Sequence, residues 1–175
     1  VVEQFPVGRR LAFDAARGRL WAVCPACARW NLTPIEERWE AIETFVFPTL
    51  ETIENYVLDV VIKAGSQPCP PIVVGIGIGG TFDYAARLAK QCVLRPFGQT
   101  NPEPILAAME QRLLKAINQL GFGPMGTGGS TTAMAVHADY AASHGFVPVA
   151  VSLNCWINRR TGARINSDGS VEWFE

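Results

Sequence analysis

Apolar residues return every third or fourth position in three stretches of this chain. Leu50, Ile53, Tyr56, Val57 and Val60 do so between Pro48 and Gly65, which predicts a helix with a glycine C-cap. Leu106, Met109, Leu113 and Ile117 mark the apolar face of a second helix over residues 103–120. FDYAARLAKQCVL, residues 82–94, predicts a third, ended by Pro96 and Gly98. A fourth is read in PIEERWEAIETFVF, with Thr33 as N-cap, Pro34 at the first helical position and Glu36 as a capping acid.

Other stretches read as strands. LAFD and RLWAV, joined by ARG, predict a small N-terminal hairpin. Pro70 and Pro71 hold the chain extended ahead of β-branched Ile72, Val73 and Val74, a short buried strand. Gly75, Gly77, Gly79 and Gly80 then read as a glycine-rich loop. Residues 131–139 alternate weakly, and Val147–Ile157 is a clearer strand. ARIN-SDG-SVEW predicts a closing hairpin with Asp168-Gly169 in its turn. The expected fold is α/β: a mixed β-sheet flanked by helices, glycine-rich loops at one sheet edge, and a small N-terminal hairpin appendage. A composition shift near residues 40–50 separates residues 1–45, the hairpin and linker helix, from residues 46–175.

Composition narrows the partners. At 175 residues, 49% hydrophobic and 18% charged, the chain suits one packed soluble core with a small appendage. A formal net charge of -1 gives no electrostatic reason to expect nucleic acid or an anionic membrane as partner. No apolar run approaches the roughly 20 residues of a spanning helix. The opening VVEQFPVGRR lacks an apolar signal core, so the expected location is cytoplasmic.

Five cysteines stand at irregular spacing: Cys24, Cys27, Cys69, Cys92 and Cys155. An odd count without an export signal points to thiol or metal chemistry rather than disulfides. Cys24-Pro-Ala-Cys27 beside a hairpin has the spacing of a zinc knuckle, although no second ligand pair follows. Cys69 and Cys155 each lie at the end of a predicted strand and could meet at one sheet edge. They read equally as small buried hydrophobes. Cys92 sits inside an apolar helical pattern and reads as core. His144, in the turn before the last long strand, reads as exposed, or as a donor near a metal group or a substrate carboxylate.

Gly75 to Gly80 satisfies GxGxxG between a strand and a helix, which makes nucleotide binding an alternative. A dinucleotide fold needs a second strand with an acid about 20 residues on, and that region is CVLRPFGQTNPEP. The second glycine loop, GFGPMGTGGSTT, has no P-loop lysine before its Ser-Thr.

Several motifs then resemble one family in the right order. Cys69-Pro-Pro-Ile-Val-Val-Gly-Ile-Gly-Ile-Gly-Gly-Thr81 is similar to the CPP…GxGIGGT segment of class I fumarate hydratases and L-tartrate dehydratase α subunits. Leu88-Ala-Lys90 with Leu94-Arg95 resembles the family's LAK…LLR. Asn118 to Thr132 resembles its N-x-L-G-x-GP-x-G-x-GG-x-TT, and Ser143-His144 through Val151 its H-x-x-x-PVAV. Asn154-Cys155-Trp156 resembles a further cysteine motif, and the tail ARINSDGSVEW also fits. The resemblance covers roughly residues 50–175.

The resemblance implies a hydro-lyase that adds or removes water on fumarate, malate or tartrate. It implies a 4Fe–4S cluster held by three cysteines with one iron left open as a Lewis acid. By motif match, Cys69 and Cys155 would be cluster ligands, and His144 would lie near the substrate carboxylates. It also implies a β subunit or β domain as partner, in a homo- or hetero-oligomer.

The family's first cysteine lies in an upstream CQDTG motif. Here residues 1–45, with CPAC, stand in its place, so the third ligand is not found. The expectation is a hydro-lyase domain that is incomplete on its own. An inactive structural or metal-knuckle module and a glycine-loop nucleotide-binding module are the alternatives.

Overall fold

The structure is a computed structural model and describes residues 11–14, 19–23, 30–32, 39–156 and 162–174. The chain divides into two compact units, Val1–Arg38 and Trp39–Glu175. In the first, β1 (Leu11–Asp14) pairs antiparallel with β2 (Arg19–Val23), as the predicted hairpin requires. A third strand, β3 (Trp30–Leu32), adds to β2. Cys24, Cys27 and the Thr33-Pro34 cap lie outside the described residues.

The second unit is built on a four-stranded sheet in the order β4-β7-β5-β6. Its elements are β4 (Trp39–Val46), α1 (Leu50–Ala64), β5 (Ile72–Gly79), α2 (Phe82–Cys92), α3 (Pro104–Gln119), β6 (Ala133–Ala141) and β7 (Phe146–Asn154). β5 and β6 run parallel, while β7 lies antiparallel to both β5 and β4, so the sheet is mixed. A final hairpin pairs β8 (Gly162–Ile165) with β9 (Val171–Phe174), as predicted. Among the described residues no helix is long and apolar enough to cross a membrane.

Strand alternation divides the core between the two faces. Val149, Val151 and Leu153 of β7 join Val74 and Ile76 of β5 under α1 and α3, which contribute Ile53, Val57, Val60, Leu106, Met109, Leu113 and Ile117. Those helical positions are the apolar faces expected from the sequence. Ala150 lies on the opposite face with Ala85 and Ala89 of α2. Thr49 caps α1 by accepting the Thr52 amide at 3.1 Å, and Gly65 ends it at φ 54, the left-handed region that glycine tolerates.

Two expectations are corrected. Residues 39–46 are not helical: all eight pair with β7, from Trp39↔Leu153 to Val46↔Phe146. The segment carries both spacings at once. Trp39, Ile42, Phe45 and Val46 fit a helix, while Trp39, Ala41 and Phe45 fit one side of a strand and pack on the main core. The neighbouring strand decides between them, because a short isolated helix has little stability of its own. Second, Gly75 and Gly77 belong to β5 rather than to a loop. A Cβ at Gly75 would collide with the Ala89 carbonyl oxygen, and one at Gly77 with that of Ala85. Bare backbone here lets α2 lie directly on the strand, and helix backbone fills the space a phosphate would need.

Candidate functional site

One end of the sheet gathers the sequence's candidate ligands. β7 ends at Asn154, β5 begins at Ile72 and β6 begins at Ala133; Val73 pairs with Asn154, and Ile72 with Ala133. Neighbouring strands lie about 4.8 Å apart, so these three strand ends span roughly 10 Å. Cys155 follows the end of β7 directly and is buried, 2% exposed. Cys69 lies three residues before β5 and is half-buried, with its Sγ 3.9 Å from the Gln67 carbonyl oxygen. Its backbone is left-handed at φ 53, unusual for a residue with a side chain, and the Pro70–Pro71 bond that follows is cis.

The second glycine loop folds over the same end. The Met125 amide donates to the Pro70 carbonyl at 2.7 Å, and the Ile72 amide to the Thr132 carbonyl at 2.9 Å. Asn118, in the last turn of α3, fixes the loop's return: its Oδ1 accepts the amides of Thr132 at 2.7 Å and Ala133 at 2.9 Å, and its Nδ2 donates to the Ala133 carbonyl. This anchor gives the asparagine in the last turn of α3 its role.

His144 is at the other end. It sits in the turn between β6 and β7, exposed, with its ring stacked on Phe146 at 6.3 Å. Ser143 holds that turn by donating to the Phe146 carbonyl at 2.9 Å and the Gly80 carbonyl at 3.4 Å. The nine residues of β7 separate His144 from Cys155, roughly 27 Å of extended chain. The structure thus brings the two cysteines to one end of the sheet and does not bring His144 to them.

A third polar group lies along the β6 edge, and the motif reading passed over most of it. Glu110, 7% exposed, accepts Arg95 at 2.6 Å, Asn101 at 2.7 Å and the Ala138 amide at 2.7 Å. Asn101 also donates to the Ala138 carbonyl at 2.8 Å. Both backbone groups of Ala138 are therefore satisfied by side chains, as a neighbouring strand would satisfy them, and the edge is covered at that position. A cavity of about 350 Å³ beside this network is lined by Cys92, Arg95, Asn101 and Asp139 among others. Cys92 is core, as expected: its Sγ bonds to the Ile76 carbonyl at 3.4 Å, and burial pushes its thiol up to about 12. His137 Nδ1 lies 3.0 Å from the Cys92 carbonyl oxygen. Burial, and then the charge of Arg95, push its pKa down. The signal for Glu110 was a lone acid beside Met109 on an apolar helix face; for His137 it was a histidine inside an alternating strand.

Two thiols at adjoining strand ends fit two ligands of a group that prefers soft sulfur donors. Among the described residues no set of three His, Cys, Asp or Glu side chains converges on a metal position. Nothing in the described residues supports zinc at Cys24 and Cys27, which fall outside them.

The sequence model of the family described as Fumarate hydratase (Fumerase) matches residues 37–164, from the approach to β4 to the start of β8. This chain belongs to the fumarate hydratase family. Within it, a Methanocaldococcus jannaschii protein named as an L(+)-tartrate dehydratase subunit alpha is 46% identical over 123 residues, which is 70% of this chain and 43% of that protein. The L(+)-tartrate dehydratase subunit alpha of Escherichia coli strain UTI89 is 35% identical over 150 residues, 85% of this chain and 46% of that one. Its counterpart in strain K12 is 34% identical over the same length. The chain spans less than half the length of these fumarate hydratase family relatives.

Proposed function

We propose that this chain is the α-type part of an iron–sulfur hydro-lyase that adds water to, or removes it from, a small C4 dicarboxylate: fumarate, malate or tartrate. The observation that carries the reading is the arrival of Cys69 and Cys155 at neighbouring strand ends, each within a segment that resembles the family's cysteine motifs. Relatives named as tartrate dehydratase α subunits make L(+)-tartrate the first substrate to test. The same names support a second subunit as partner.

In this reading Cys69 and Cys155 would hold the cluster as thiolates, with a third ligand from outside the described residues. The chemistry the cluster would supply when bound is that of a Lewis acid toward the substrate hydroxyl. The chain's own contribution is the seat. Cys155 is held by burial at the end of the central antiparallel pair, and the backbone of Cys69 by its amide, which donates to the Ser66 carbonyl at 3.1 Å. The glycine loop is tied to that end by its bonds to Pro70 and Ile72. His144 acts as a donor to substrate carboxylate only in an assembly that carries the turn of a second copy to the thiols.

Co-expression with a β-type subunit, anaerobic reconstitution and an assay for oxaloacetate from tartrate and fumarate from malate test this. Turnover that disappears in Cys69→Ser and in Cys155→Ser is the expected result. A complex that carries iron and sulfide but turns over none of the three acids contradicts the proposed function.

A further inference from the structure

The second glycine loop divides into two halves by what its amides do. In the first half the donors are consumed internally. Gly123 donates to Thr132 Oγ1 at 3.3 Å, Met125 to Pro70, Gly126 to Gly123, Thr127 to Pro124 and Gly128 to Phe122. At the far side Thr132 donates to Asn118 at 2.7 Å. Between them, the amides of Gly129, Ser130 and Thr131 engage no acceptor among the described residues, and neither do the hydroxyls of Ser130 and Thr131. All three residues are exposed. A hydrogen-bonded base therefore carries three consecutive backbone N–H groups and two hydroxyls without a partner among the described residues.

Position and charge give these donors a ligand. Thr131 precedes Thr132, whose carbonyl is bonded to Ile72 at the start of β5, so the donors stand at the sheet end that carries Cys69 and Cys155. No acidic residue occurs between Glu110 and Asp139, so the loop itself repels no anion. Gly128 and Gly129 have φ 97 and 134, and a Cβ at Gly128 would meet nothing within 4 Å. The glycines there serve backbone direction rather than packing, and they leave the donors bare. Successive free amides of this kind suit a carboxylate, whose oxygens accept several hydrogen bonds at once and whose charge strengthens each.

We infer that Gly129, Ser130 and Thr131 receive one carboxylate of the dicarboxylate substrate, through their amides and the two hydroxyls, and so set which end of the substrate faces the thiols. The inference rests on the hydro-lyase reading for the identity of the acid, and its test is separate. The isotope-labelled full chain is titrated with fumarate and with L(+)-tartrate while backbone amide NMR shifts are followed. The largest shifts are expected at Gly129, Ser130 and Thr131, with none from the neutral diamide of fumarate. Ser130→Ala/Thr131→Val weakens the dissociation constant about tenfold, equivalent to about 1.4 kcal/mol, and leaves iron and sulfide content after reconstitution unchanged. Shifts centred elsewhere, no shifts at saturating acid, or a dissociation constant within about twofold in the double variant overturn the inference. Should the double variant fail to fold, the wild-type shift map decides alone. If iron and sulfide never bind but the shifts occur, the loop site stands and the hydro-lyase reading falls. If the cluster assembles and the shifts are absent, the reverse holds.

Discussion

Between Gly75 and Gly80, glycines lie in a strand beneath a helix; between Gly121 and Gly129, they lie in a loop whose tip is exposed. The two stretches share the GxGxxG spelling. In the first, the missing Cβ atoms of Gly75 and Gly77 make room for the backbone of α2, and nothing is left for a ligand to occupy. In the second, the glycines at 121, 123, 126, 128 and 129 have positive φ, and a Cβ at Gly121 or Gly128 would meet nothing. Close approach alone accounts for Gly75 and Gly77, which have no positive φ; every glycine of the second stretch has one, and Gly123 and Gly126 are also packed, against the Gly128 carbonyl and Ser66. At the tip of the second, the amides of Gly129, Ser130 and Thr131 have no acceptor among the described residues.

This contrast can be broken at graded cost. Gly77→Val places a side chain into the Ala85 carbonyl and the Leu88 side chain. It should lower stability by about 3 kcal/mol or more, read as the urea midpoint. A loss under about 1 kcal/mol would mean that α2 is not pressed on β5. Asn118→Ala leaves the buried Thr132 amide and the Ala133 amide without their acceptor. A loss of about 2–3 kcal/mol is expected, with faster hydrogen exchange confined to residues 121–133. Gly128→Ala meets open space and carries only the strain of its φ, about 1 kcal/mol, with α2–β5 exchange unchanged.

The smallest effect concerns His137, which pairs with Gly75 across β5 and β6 and reaches the end of α2. Its pKa is lowered from 6.5, by burial first and by Arg95 second. Above 6.5 the ring is neutral folded and unfolded, and the full stability is present. As pH falls below 6.5 toward the lower folded value, the unfolded chain takes up the proton first and stability is lost. The urea midpoint of wild type should therefore fall relative to His137→Asn as pH is lowered through that window. A difference that stays constant with pH contradicts this.

Much of the fold was legible in the chain. The apolar faces of α1 and α3 were readable because burial on one side of a helix imposes a period, and Leu106, Met109, Leu113 and Ile117 obey it. β4 is ambiguous in sequence because Trp39–Val46 satisfies two periods, and only pairing with β7 chooses between them. The Gly75–Gly80 stretch resembles a loop because a glycine does not disclose whether it is spared by a neighbour or bent by its own φ. Cys69 and Cys155 were singled out by their places at predicted strand ends, and strand order brought those ends together. Glu110 shows in the sequence only as a lone acid on an apolar face, and Asn101 not at all, since their partners are the backbone of Ala138 and, for Glu110, a side chain 15 residues away at Arg95.

The claim that Cys69 and Cys155 hold one metal group is tested most directly by anaerobic iron and acid-labile sulfide analysis. The full chain is reconstituted with excess glutathione, a small thiol to stand in for the third ligand. Iron and sulfide should bind together in the wild type, remain in Cys92→Ser, and fall to background in both Cys69→Ser and Cys155→Ser. Unchanged binding in those two variants, or none in the wild type, contradicts the account.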